Sequence, residues 1–104
     1  MTSPETPNDA GFDRFVHEPA RLSLLTNLFL VESADATWLM QQTGLTWGNL
    51  ASHSARLEAA GYVSVEKSFK GRKPNTRFSI TDAGRAALLA YREQMLNALS
   101  AIGE

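Results

Sequence analysis

The chain has 104 residues, no cysteine, a net charge of −1 and 43% hydrophobic residues, which suits one small domain around one core. Disulfides and thiolate metal sites are excluded. So is a bilayer span, because the most apolar run, residues 22–31, is short and contains Ser, Thr and Asn.

In chain order, residues 1–13 hold two prolines and three acids and read as a flexible tail. The start is polar and acidic rather than basic then apolar, so no signal peptide is expected and the location is expected to be cytoplasmic. Phe12, Phe15 and Val16 are apolar enough to dock on something. Pro19 suits the first turn of a helix. Leu22, Leu25, Leu28 and Phe29 share one face, which predicts a first helix to about Val31. Residues 32–34 are a short connection. Asp35 can cap a second helix over residues 36–43.

Gly44 can take the left-handed backbone that ends a helix, and Thr46 is a natural N-cap for a third. Leu50, Ser54, Leu57 and Ala60 then form an inward stripe at helical spacing, closed by Gly61. The opposite side presents Gly48, Asn49, Ser52, Ala55 and Arg56. A short helix, a tight turn and a second helix with a thin hydrogen-bonding face is how a helix-turn-helix meets the major groove.

After Gly61 the period changes to alternation at Tyr62, Val63 and Val65, as in a strand. Residues 68–75 contain Gly71 and Pro74 and are expected to turn; residues 77–80 return as a second strand. Thr81 caps a last helix over residues 82–102, in which Gly84 is a mild cost. The expected fold is therefore mainly α with a small β-hairpin (α+β), a winged helix-turn-helix in the order α-α-α-β-β-α. Residues 14–81 form its body, and residues 82–104 a dimerisation helix packed on the same domain.

Charge is unevenly spread. Residues 63–79 hold five cations against Glu66, a net +4, so the remainder carries −5. Such a patch is either an electrostatic footprint for a polyanion or a solvated basic loop.

Gly44-Leu45-Thr46, Gly48-Asn49-Leu50, His53, Leu57-Glu58, Ala60-Gly61-Tyr62-Val63, Gly71-Arg72, Pro74, Thr76 and Thr81-Asp82-Ala83-Gly84-Arg85 together resemble the short winged-helix transcriptional regulators related to the MarR group. The resemblance covers about residues 22–91. It implies a homodimer that binds double-stranded DNA, with the third helix in the major groove and the hairpin as a wing along the phosphates. Two positions depart from the pattern. Ser54 stands where a leucine is usual, which thins the core under the third helix. Trp47 stands where a small or acidic residue is usual; it would stack on a sugar or pack against the wing.

The expected DNA contacts of the third helix are Thr46, Trp47, Gly48, Asn49, Ser52, His53 and Arg56. Arg can pair with guanine O6 and N7, and Asn with adenine N6 and N7. The bland alternative is an exposed polar face. For the wing they are Lys67, Lys70, Arg72, Lys73 and Arg77, which would hold phosphates or reach into the minor groove. The alternative is a hairpin kept soluble by charge.

The final helix is longer than closing the fold requires. Its stripe Leu88, Tyr91, Met95, Leu99 and Ile102, extended by Phe12, Phe15 and Val16, is the expected dimer interface. The alternative is that this stripe folds back on the first helix of its own chain. Trp38, Trp47, Tyr91 and Met95 could line a pocket for an unnamed small-molecule effector, though such residues are more often core.

Two histidines without cysteine make a poor metal set, and His53, at the margin of the inward stripe, fits a hydrogen-bonded structural role. No nucleophile elbow, phosphate loop or Ser–His pair is present, so neither an enzyme nor a cofactor is expected. The rival from another class is a winged-helix module that binds protein and not DNA.

Overall fold

A computed structural model describes residues 11–103. Most of the expected tail, residues 1–10, lies outside the described residues. The elements are α1 (Pro19–Val31), β1 (Ser33–Asp35), α2 (Ala36–Thr43), α3 (Trp47–Ala59), β2 (Val63–Lys70), β3 (Lys73–Ile80) and α4 (Asp82–Ser100). This is a winged helix-turn-helix with one strand added to the expected order.

The helix boundaries follow local chemistry. Pro19 opens α1, where its missing N–H costs nothing, and the Glu18 carboxylate accepts from the Arg21 N–H at 2.8 Å. Asp35 accepts from the Trp38 N–H at 2.9 Å and starts α2. Gly44 ends it at φ 75°, in the left-handed region. The end of α3 is a Schellman motif: the Tyr62 N–H donates to the Leu57 carbonyl and the Gly61 N–H to that of Glu58, both at 2.9 Å. Ala60 is thus the C-cap and Gly61, at φ 84°, the residue after it.

The added strand corrects the reading of residues 32–34 as a plain connection. β1 pairs antiparallel with β3, Ala34 opposite Phe78, and the sheet order is β1-β3-β2. Three residues carry no visible period; what makes them a strand is a partner more than forty positions later.

The hairpin is also longer and its turn tighter than expected. β2 and β3 pair from Val63–Ile80 out to Lys70–Lys73, leaving a two-residue loop of Gly71 and Arg72. Gly71 has φ 65°, the Gly-first pattern of a type II′ turn. Pro74 does not break β3. In a two-residue hairpin the pair beside the loop exchanges both hydrogen bonds and the next pair, Phe69–Pro74, exchanges none. The proline nitrogen faces the outer edge, which β1 does not reach.

The core gathers Leu24, Leu25 and Leu28 of α1, Leu39 of α2, Leu50 and Leu57 of α3, and Val63, Phe78 and Ile80 of the sheet. Ser54 is buried among them, its hydroxyl donating to the Ala51 carbonyl at 3.2 Å. Gly84 is more than a mild cost. It is buried where α4 crosses the backbone of Tyr62, and a Cβ there would overlap the Tyr62 carbonyl oxygen.

Candidate nucleic-acid interface

The exposed side of α3 is set by its cap and its phase. Thr46 accepts from the Asn49 N–H at 3.2 Å, which leaves the first turn of α3 open to solvent. With Leu50, Ser54 and Leu57 turned inward, Gly48, Asn49, Ser52 and Arg56 are exposed along one side of the helix, while Thr46 and Trp47, also exposed, stand at its start, Trp47 towards the sheet. The first turn offers backbone donors where the helix dipole favours an anion, and Asn49, Ser52 and Arg56 offer side-chain groups further along.

His53 sits apart from them. Its Nδ1 lies 3.2 Å from Nη1 of Arg21 and 3.8 Å from Oε1 of Glu18. Arginine only donates, so this nitrogen accepts and the ring proton is on Nε2. Arg21 also donates to the Phe15 and Arg14 carbonyls. The ring therefore ties α3 to the start of α1, a connection that the spacing of His53 within α3 did not reveal.

The wing divides its cations between two faces. Val65 and Phe78 face inward, and on the same side Lys67 borders a cleft of about 130 Å³ between α3 and the sheet. Trp47, Ala51, Ser54 and Thr76 line it too, so Trp47 stands between the helix and the wing, 48% exposed. Lys70, Lys73 and Arg77 alternate onto the other face. Lys70 and Lys73 are direct cross-strand neighbours, a like-charge pair that disfavours the hairpin unless an anion sits between them. Arg72 is in the loop. Arg77 donates from Nε to Ser33 Oγ at 3.1 Å, which fixes it at the base of the wing. Among the described residues, Arg56, Lys67, Lys70, Arg72 and Lys73 form no ion pair.

The expected association surface is split by depth. Val16 is fully buried and Tyr91 nearly so, both within their own chain. Phe12, Phe15, Leu88 and Met95 are partly buried against the same core. Leu99 and Ile102 are exposed, and with them Leu30, Leu89 and Leu96, which the sequence reading did not select. The signal was available, since α1 is apolar nearly all round and such a helix needs cover on more than one side. A groove of about 360 Å³ runs between α1 and α4, lined by Leu22, Phe29, Leu30, Leu89, Met95 and Leu96.

Residues 11–18 strap across the start of α1 and the middle of α4. His17 Nδ1 is 2.9 Å from the Tyr91 hydroxyl, and its ring stacks on Phe12 at 4.7 Å. The Tyr62 hydroxyl donates to the Asp13 carboxylate. That hydrogen bond, then burial, then the negative charge of Asp13, push the Tyr62 phenol up to about 12. Burial also raises that of Tyr91.

Among the described residues no group of three or more His, Asp or Glu could hold a metal ion, and no helix is long and apolar enough to cross a membrane.

A family model described as a winged helix DNA-binding domain matches residues 20–99. The chain is similar to an uncharacterized protein of Methanocaldococcus jannaschii, 33% identical over 76 residues, which are 73% of this chain and 83% of that one. Its structure is similar to that of a transcriptional regulator homologue from Pyrococcus horikoshii, with a TM-score of 0.74, 28% identity and coverage of 88% of this chain and 94% of that one. It is also similar to the transcriptional repressor BigR from Xylella fastidiosa, with a TM-score of 0.56, 25% identity and coverage of 86% and 79%.

Proposed function

The chain belongs to the winged helix DNA-binding domain family, and we propose that it is a sequence-specific transcriptional regulator acting as a homodimer on double-stranded DNA. In this reading α3 enters the major groove, where Asn49 and Arg56 read base edges and Thr46, Trp47, Gly48 and Ser52 position the helix. Lys67, Lys70, Arg72 and Lys73 bind phosphates on either side of the wing, and Arg77 holds the wing base against Ser33. His53 acts on DNA only indirectly, by fixing the angle of α3 against α1. Residues 14–81 are the DNA-binding body, and α4 is the dimerisation helix packed on it.

The observation that carries this reading is the unpaired state of the wing cations beside a polar α3 face. Four cations that form no ion pair among the described residues, two of them opposed across one hairpin, fit a polyanion better than they fit a self-contained surface. The homodimer rests on the leucines left uncovered along α1 and α4. Pairing two copies through α4 would set two α3 helices about one DNA turn apart, as a two-fold operator requires.

A salt-titrated binding assay tests the reading, using duplex from upstream of the protein's own gene and a random duplex of equal length. Affinity should fall steeply with salt on both and be higher on the upstream DNA. No measurable binding to either duplex at low salt would favour the protein-binding module instead.

A further inference from the structure

The tip of the wing carries a large apolar side chain that phosphate binding does not explain. Phe69 is 72% exposed and comes just before Lys70 at the end of β2. Its cross-strand neighbour is Pro74, in the pair that exchanges no hydrogen bonds and so brings side chains closest. By strand alternation Phe69 shares the face of Val65 and Lys67, the side on which α3 lies. Lys67 shares its face, Lys70 and Lys73 lie on the opposite face of the same tip, and Arg72 is in the loop.

An exposed phenylalanine on an unpaired hairpin edge is available to a partner. The four cations select an anionic occupant, and a two-residue loop makes the tip thin enough for a narrow groove. We propose that Phe69 is an apolar wedge that enters the minor groove of the bound duplex and partly unstacks one base step. Lys67 and Lys70 would grip phosphates on either side of the step. This rests on the DNA-binding function proposed above and adds a second source of specificity to it. Pyrimidine–purine steps unstack most easily, so the wedge favours a TA or CA/TG step at a place that α3 does not touch.

The test uses the full chain and the upstream duplex, with 2-aminopurine placed in turn at each step of the protected footprint. Wild type should raise the fluorescence at one step per wing, and Phe69→Leu, still a wedge, should largely keep that rise. Phe69→Ala should abolish it and weaken binding roughly five- to hundredfold, the range of base–aromatic contacts. Its slope of log affinity against log salt should stay as in wild type, because no phosphate contact is lost. Circular dichroism checks that each variant is folded. Steep salt-dependent binding by wild type, with Phe69→Ala equal to it in affinity and fluorescence, would overturn the wedge alone. Absence of duplex binding by wild type would overturn the wedge together with the DNA-binding function. Phe69→Ala that binds DNA normally but loses affinity for phosphatidylserine vesicles would assign the side chain to a membrane surface and also overturn the proposal.

Discussion

Gly84 of α4 lies against the carbonyl of Tyr62 so closely that no side chain fits between them. That carbonyl cannot move aside, because it accepts the Thr81 N–H at 3.0 Å. Thr81 in turn caps α4 by accepting from the Gly84 N–H at 3.0 Å and donates its own hydroxyl to the Gly61 carbonyl at 2.6 Å. The end of α3, the start of β2 and the start of α4 are thus locked at one point.

Gly84→Ala should therefore destabilise the protein despite the better helix propensity of alanine. The propensity gain is about 1 kcal/mol at most. Overpacking against fixed backbone costs roughly 1–3 kcal/mol and displaces α4. A thermal melt should show a midpoint lower by several degrees; a rise would mean that α4 can slide away freely.

Replacing Lys70, Arg72 and Lys73 together by Ala should weaken binding on every duplex. The slope of log affinity against log salt should become shallower by about two to three units, near one per lost phosphate contact. Arg56→Ala should behave differently, losing roughly 1–3 kcal/mol of discrimination between upstream and random DNA. Equal losses on both duplexes would take Arg56 out of base readout.

Leu96→Glu combined with Leu99→Glu should give a folded monomer. Each side chain is 51% exposed, so neither change opens the core, whereas Met95 packs on the core and would confuse the result. Sedimentation would give the mass, and operator affinity should fall sharply once the two half-sites are read separately. A variant that stays dimeric would move the interface away from the second half of α4.

The two tyrosines can be followed by absorbance as pH rises. Both should deprotonate later than free tyrosine, Tyr62 the later, near pH 12. Its folded value is raised above the ordinary value of about 10, so the Asp13–Tyr62 bond stabilises the fold fully below pH 10 and is lost as pH rises towards 12. Asp13→Asn removes the charge and weakens the acceptor, and should bring Tyr62 back towards its ordinary range. No change in Tyr62 would leave burial as its sole cause.

What the sequence made legible was local. Thr46, Asp35, Thr81 and Gly44 mark helix ends because a cap is a contact within three residues or a single backbone angle. The inward phase of α3 was legible at Leu50, Ser54 and Leu57 for the same reason. β1 was hidden because its period is too short to see and its partner is remote. Pro74 and Gly71 exaggerated the turn, since the harmless edge position of the proline depends on how far β1 extends. The role of Gly84 required a neighbour, Tyr62, that only the fold supplies. At the candidate interface, residue types and spacing pointed to Asn49 and Arg56. The tie of His53 to Arg21 needed three dimensions, as did the division of the α4 stripe between buried Tyr91 and exposed Leu99.

The three-stranded part of the sheet ends early. β1 covers β3 only from Arg77 to Ser79, so residues 67–76 project as a two-stranded ribbon closed by a two-residue loop. Two strands without a packed face are marginal on their own. Local opening should therefore be graded along the hairpin. Amides near Phe78 should exchange hydrogen at rates close to global unfolding, and those near the tip orders of magnitude faster. Hydrogen-exchange mass spectrometry on the free chain would map that gradient, and a uniformly slow hairpin would contradict it. A ribbon that opens this readily folds the cost of its own ordering into every encounter, so rigidity gained at the tip on binding should itself slow exchange there.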